Sequence, residues 1–307
     1  MKNKVRTKIS PLLIVLGIVL AVYTISMIIP IFWSILSSLK SKWDFMPERA
    51  GGMGNFLFGL PSLGEDYGWR FDHYIDAFKV VISDGKGSFK VAMMLLNSIV
   101  YATGCALFAV GCNTLVAYAI ARFDFKFSKI LYRLIVVCMV LPIVGAEASA
   151  LYFANLLHIY DNMVGMFILK GNFIGMYTLV VCEAFRAVPK SFHEAAEIDG
   201  ASNLRIFVSI AIPMLRNMLA TIFLLYFIQF WNDYQTPLLY MPTKFTLAYG
   251  IYLIANFSVI PPSAGDEFTG DPFKLTVAMV MLVPVLILFL TFHERIMGNV
   301  SLGGVKE

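Results

Sequence analysis

Between two apolar runs the chain reads Pro189-Lys-Ser-Phe-His-Glu-Ala-Ala-Glu-Ile-Asp-Gly-Ala-Ser-Asn-Leu-Arg-Ile-Phe-Val-Ser-Ile-Ala-Ile-Pro213, which is written as two short helices joined by a corner. Ser191 and Glu194 stand at capping-box spacing: the hydroxyl can accept from an early backbone N–H while the carboxylate reaches back to the cap. Ala195 and Ala196 then favour helix. Asp199-Gly200 ends it, because glycine enters the left-handed region without a Cβ penalty and lets the chain turn sharply. Leu204, Phe207 and Ile210 recur at helical spacing until Pro213 stops or kinks the second helix. The product is a stiff knob, cornered on one glycine.

What flanks the knob decides where it sits. Of the 307 residues, 59% are hydrophobic and 14% charged, with a mean hydropathy of +0.75. A soluble domain carries about 45–50% apolar and about 25% charged residues, so too little polar material is present to cover a water-soluble globule. Six segments have the length and apolarity of a membrane span: 12–36, 91–120, 130–157, 163–184, 214–231 and 275–292. Lys2, Lys4, Arg6 and Lys8 precede the first span, and Arg122, Lys126, Lys129 and Arg133 gather at the turn from the second into the third. Arg186, Lys190, Arg205 and Arg216 lie in and beside the knob, whereas 155–169 has no Lys or Arg and 232–272 only Lys244. The basic flanks face the cytoplasm under the positive-inside rule. The expected fold is therefore an all-α membrane protein, one domain (1–307) of six transmembrane helices with both termini cytoplasmic. An outward cap covers 37–90, the knob at 189–213 points inward, and a tail spans 294–307. The first apolar run is long enough to be a retained helix rather than a cleaved signal. A net charge of +4 that gathers at span ends reads as topology, not as a nucleic-acid surface.

On these residues the chain resembles a known family. Glu194-Ala195-Ala196, Gly200, Ile210 and Ile212-Pro213 are similar to the EAA loop of ABC importer permeases, with Ile212 where the family usually has Leu. Asn97-Ser98, Ala117-Tyr-Ala-Ile-Ala-Arg-Phe123, Phe230-Trp-Asn-Asp-Tyr234 with Pro237-Leu238, and Gly303-Gly304-Val305-Lys306 are similar to carbohydrate permeases of the maltose-transporter type. The resemblance implies a permease subunit in the bacterial cytoplasmic membrane that pairs with a second, related permease. It further implies a separate ATPase dimer and an extracytoplasmic solute-binding protein as partners, and a sugar as substrate. Glu194, Ala195, Ala196, Asp199 and Gly200 then form the coupling helix that contacts the ATPase, and Gly303 to Lys306 enter the ATPase interface.

No cofactor is expected in this chain: a phosphate-cradling Gly-x-x-x-x-Gly-Lys-Ser/Thr loop is absent from the sequence, so ATP and Mg belong to the partner. Cys105, Cys112, Cys138 and Cys182 lie in apolar stretches and read as small core residues, not as disulfides or a metal site. His73, His158, His193 and His293 have no ligand spacing, which argues against an intramembrane enzyme. An ion-coupled secondary transporter is the alternative reading. It explains the buried charges but not the knob.

Under that alternative Glu147, Lys170 and Asp233 would be the ion-coupling groups, and Glu147 and Lys170 stand within apolar spans. A charge at the bilayer centre costs about 2.5–3.5 kcal/mol, so neither is expected to face lipid. At about 1.5 Å of rise per residue they lie roughly 15 Å and roughly 10 Å from the outer ends of antiparallel neighbours. An ion pair between them is the expectation, either lining the outer pathway with Asn172 or serving structure alone. Gln229, Asn232 and Asp233, beside Trp231, carry the group types that bind sugars, although Asn and Asp at a helix end also satisfy backbone groups. Pro30, Pro142 and Pro284 fall inside spans and are expected to kink or break them.

Overall fold

A computed structural model describes residues 11–45, 59–61, 69–83, 88–123, 126–141, 145–257 and 266–300. In chain order these form α1 (Pro11–Ser38), α2 (Asp72–Asp76), β1 (Val81–Ser83), β2 (Ser88–Lys90), α3 (Val91–Arg122), α4 (Lys126–Val140), α5 (Glu147–Leu156), α6 (Met163–Lys170) and α7 (Met176–Ala187). They continue with α8 (Ser191–Ile198), α9 (Asn203–Ile206), a π-helical turn (Phe207–Ala211), α10 (Ile212–Met214), α11 (Arg216–Trp231), α12 (Gln235–Tyr240), α13 (Leu247–Asn256) and α14 (Asp271–Val300). Three of these helices are long and apolar enough to cross a membrane: α1, α3 and α14.

The chain divides into two compact units. The first comprises residues 1–80 and 260–280. In it α1 exposes Leu12 to Phe32 on every side, the pattern of a helix with an apolar surround. Its end is held by hydrogen bonds of Ser38 with the Tyr74 hydroxyl (2.7 Å) and of the Thr276 hydroxyl to the Ser38 carbonyl (3.0 Å). The stretch 37–90, expected as one outward cap of an all-α chain, is divided at residue 80, and its end in the second unit carries two strands, β1 and β2, paired antiparallel with Ile82 opposite Phe89.

The second unit, residues 81–259 and 281–307, is built around α3. Its buried residues recur at helical spacing and are mostly small: Ala102, Cys105, Ala106, Ala109 and Ala117. Small side chains let α6, α7 and α11 approach closely, which is how membrane helices gain packing without a hydrophobic driving force. Gly104 is the extreme case: a Cβ there would overlap the ring of Phe167 on α6. We expect Gly104→Val to cost about 1–3 kcal/mol through overpacking, read as a lower melting temperature of the detergent-purified chain. A polar triad sets the register of the same helices. The Asn113 amide donates to the Tyr226 hydroxyl (2.7 Å) and accepts from the Thr178 hydroxyl (2.9 Å), joining α3, α11 and α7. Asn97 and Ser98 bind the backbone at the start of α13: the Asn97 amide donates to the Phe245 carbonyl (2.9 Å) and the Ser98 hydroxyl accepts from the Leu247 N–H (2.6 Å).

Two expected spans are not continuous. The segment 130–157 is split into α4 and α5, with Gly145 at φ +81 beside the break, and Pro142 lies outside the described residues. The segment 163–184 is split into α6 and α7 by Gly171 to Gly175, where the Asn172 side chain accepts from the Ile174 N–H (2.7 Å) and so competes with helix. Near the knob the chain bends by 78° between Asn203–Met214 and α11. Pro213 removes an N–H and crowds the preceding turn, and the π-helical turn just before it absorbs that misfit.

Candidate functional site

The knob is an elbow of α8 and α9, and glycine closes α8 as expected. Gly200 has φ +77; its N–H bonds the Glu197 carbonyl (3.0 Å) and the Ala201 N–H bonds the Ala196 carbonyl (3.0 Å). These two bonds make a Schellman motif, which satisfies the end carbonyls and fixes the corner. The start of α8 differs from expectation. Lys190, not Ser191, is the capping residue, it is already helical, and no side-chain cap bond forms. Pro189 presets the backbone earlier: Phe192 N–H bonds the Pro189 carbonyl, so Ser191 falls inside the helix and the capping box with Glu194 is not made.

The elbow has two faces. Inward, His193 and Ala196 are buried; Ala196 therefore packs within the chain rather than offering a contact outward. Outward lie Glu194, Ala195, Asp199 and Gly200 together with the apolar Phe192, Ile198 (86% exposed), Leu204 (70%) and Val208. Phe207, expected on the same stripe as Leu204, is instead buried in a core with Tyr118, Phe185 and Leu219. That core fastens the elbow to the helices. His193 Nε2 meets the Tyr118 hydroxyl at 3.1 Å, and Tyr118 packs edge-on to Phe185 and tilted on Phe207 with centroids 5.4 and 4.7 Å apart. The tail Gly303, Gly304, Val305 and Lys306 lies outside the described residues.

At the other end of the same unit, a cavity of about 650 Å³ is lined by Glu147, Lys170, Gln229 and Asp233 with residues of α12 and α13. A second cavity of about 480 Å³ shares Glu147, Lys170 and Gln229 and adds Asn172. The expected pair of Glu147 with Lys170 is not formed. Lys170 Nζ lies 3.0 Å from Asp233 Oδ2 and donates to the Thr236 hydroxyl (2.7 Å). The same Asp233 oxygen accepts from the Tyr101 hydroxyl (3.0 Å), while its partner oxygen accepts from the Thr236 N–H (3.0 Å). Glu147 instead accepts from the Tyr240 hydroxyl (3.2 Å). The helix break at Gly171 leaves Lys170 at an end where it reaches the turn after α11, and this explains the change of partner. Asn232 stands apart: it is exposed and its amide donates to the Ile228 carbonyl (2.8 Å), a backbone-satisfying role. Tyr101, Thr236 and Tyr240 carry no sequence motif; only the spacing of Thr236 from Asp233, that of a local cap, hinted at one of them.

Residues 113–300 match the family described as binding-protein-dependent transport system inner membrane component. The chain belongs to this family. It is thus a multi-pass transport component of the bacterial cytoplasmic membrane and not an enzyme. Similar proteins include the diacetylchitobiose uptake system permease protein of Streptomyces coelicolor, 25% identical over 92% of this chain and 86% of that one. Another is the multiple sugar-binding transport system permease protein of Streptococcus mutans, 28% identical over 94% and 95%. A solved bacterial ABC transporter involved in import of the acidic polysaccharide alginate has the same fold, with a TM-score of 0.68 at 20% identity over 92% of this chain and 95% of that one.

In this permease the elbow also has a titratable anchor. Burial, followed by the positive charge of Arg122, lowers the His193 pKa against the pull of Glu197. A buried neutral imidazole binds fewer protons when folded than when unfolded, so its stabilising contact is intact above the unfolded value of about 6.5 and weakens as pH falls below it. Limited proteolysis at the elbow is expected to speed up from pH 7.5 to 5.5 in the wild type. In His193→Gln, which keeps a neutral hydrogen-bonding group, that acceleration should be lost.

Proposed function

We propose that this permease forms half of the translocation pathway of an ATP-driven importer for a sugar or oligosaccharide, coupled through its α8–α9 elbow to a separate ATPase. The carrying observation is the elbow itself: a Schellman-closed corner that is rigidly cored by Tyr118 and Phe207 yet exposes Ile198 and Leu204. Apolar side chains this exposed on a polar loop are the mark of a docking surface. A rigid elbow can move the helices behind it, whereas a floppy one would dissipate the force.

In this reading six crossings arise from α1, α3, the broken pairs α4–α5 and α6–α7, then α11 and α14, with both termini and the elbow in the cytoplasm. The ATPase dimer holds ATP and Mg; Glu194, Ala195, Asp199 and Gly200 meet it, and the tail Gly303 to Lys306 enters its interface. A second permease completes the pathway and an extracytoplasmic solute-binding protein delivers the sugar. The sugar class rests on the names of the relatives. The two cavities, which share Glu147, Lys170 and Gln229 and add Asp233 in one and Asn172 in the other, are its route through this subunit and offer groups that bind hydroxyls. In proteoliposomes holding the whole complex, sugar uptake should require ATP inside and survive an uncoupler. Uptake that persists without ATP and collapses with the uncoupler would establish the ion-coupled alternative instead.

A further inference from the structure

The cavity of about 650 Å³ is bordered by a pair of rings that no motif announces. Tyr234, in the turn after α11, and Tyr252, on α13, both line it and stack on each other, with centroids 4.7 Å apart and planes 16° from parallel. Tyrosines gather at membrane interfaces in any case, so their presence alone decides nothing. Their hydroxyls separate these two from the rest. In the same unit Tyr101, Tyr226 and Tyr240 engage theirs with Asp233, Asn113 and Glu147, as tyrosines removed from water commonly do. The hydroxyls of Tyr234 and Tyr252 have no protein partner among the described residues.

The polar groups beside the rings divide in the same way. Lys170 and Asp233 are engaged with each other and with Thr236, and so hold the wall together. The Gln229 amide, by contrast, is exposed and without a protein partner, and the Glu147 carboxylate accepts one bond, from Tyr240. A carboxylate offers about four acceptor sites and a primary amide adds two donors and an acceptor, so most of this capacity is left for a ligand. An aromatic face is negative and attracts the weakly positive C–H groups of a ring laid on it. A pyranose has such C–H groups on its faces and hydroxyls round its edge, and it matches both parts of this lining. The volume lies within the range of about 300–1,000 Å³ typical of small-molecule sites. Two carboxylates, Glu147 and Asp233, against one ammonium, Lys170, leave the described lining net negative, which disfavours an acidic sugar.

We propose that this subunit itself holds an uncharged pyranose ring, laid against the Tyr234–Tyr252 stack and hydrogen-bonded by Gln229 and Glu147, instead of serving as a bare wall of the route. The assignment deepens the importer reading above and rests on it.

Saturation-transfer NMR on the full chain in mild detergent tests it, with maltose, cellobiose and lactose as neutral probes and cellobiouronic acid as the acidic one. Transfer to the ring C–H protons of at least one neutral probe is expected, with the acid bound more weakly than cellobiose. For the probe that binds, Tyr252→Leu should weaken affinity about 2- to 12-fold, the worth of an aromatic contact. Gln229→Ala should weaken it by a similar factor of about 2 to 12 through a lost hydrogen bond. Tyr252→Phe, which keeps the ring, should bind nearly as well as the wild type. Tyr160→Leu, at a tyrosine outside both cavities, should change nothing. If Tyr252→Leu loses its monodisperse profile, Gln229→Ala is read alone, since its amide bonds no other residue. Transfer to none of the neutral probes, affinity indifferent to both variants, equal weakening by Tyr160→Leu, or an acid bound as tightly as cellobiose overturns the assignment. ATP does not enter this measurement. Failure here beside ATP-dependent uptake by the complex rejects the ring site and keeps the importer, whereas uptake that needs no ATP rejects the importer itself.

Discussion

Replacing Gly200 by valine is expected to lower ATP-dependent uptake 5- to 30-fold and to reduce co-purification of the ATPase in parallel. The expectation comes from backbone conformation alone. A Cβ at Gly200 would meet nothing within 4 Å, so the side chain itself has room. The residue nevertheless sits at φ +77, where an L-residue pays about 1–2 kcal/mol and a β-branched one most of all. A penalty of that size shifts a conformational equilibrium about 5- to 30-fold away from the Schellman corner. Gly200→Asn is the discriminating companion, because asparagine tolerates the left-handed region. It should retain most of the uptake although it is bulkier than glycine. A loss in both variants would mean that the surface at Gly200, rather than its geometry, is what docking needs.

The second large effect is expected at the cavity. Lys170 and Asp233 are mostly shielded, with side chains 26% and 15% exposed, and share their hydrogen bonds with Thr236 and Tyr101. Removing one charge of such a pair strands the other, at a cost of about 3–5 kcal/mol, whereas removing both for apolar groups is often neutral. Lys170→Met and Asp233→Leu should each lower the melting temperature of the purified chain markedly and abolish uptake, while the double variant regains the wild-type melting temperature. If the pair lies on the sugar route, uptake by the double variant stays low despite restored stability. Full recovery of uptake would reduce the pair to scaffolding.

How much of this was legible in the sequence follows from how local each feature is. The elbow was readable because a glycine corner and a proline act on their own neighbours within a few residues. Even so, the start of α8 was misplaced: Pro189 sets the backbone before Ser191 can cap it. The breaks in 130–157 and 163–184 were hidden by their apolar composition, in which the Gly171 to Gly175 interruption counts for little although an asparagine between glycines can leave the helix. The cavity was half legible. A lysine in an apolar span announces that it needs a partner, but the choice of Asp233 over Glu147 depends on where the broken helix ends, which no spacing rule states. Tyr118 against His193 was beyond reach for the same reason, being a pairing of distant segments made by packing.

The central claim is that the outward face of the elbow rests on a separate ATP-hydrolysing subunit. A photo-crosslinking amino acid placed at Ile198, the most exposed large apolar residue of the elbow, tests it in native membranes. Irradiation should yield one dominant adduct whose second component carries a nucleotide-binding loop. Adducts formed only with lipid, or with no protein at all, would contradict the account.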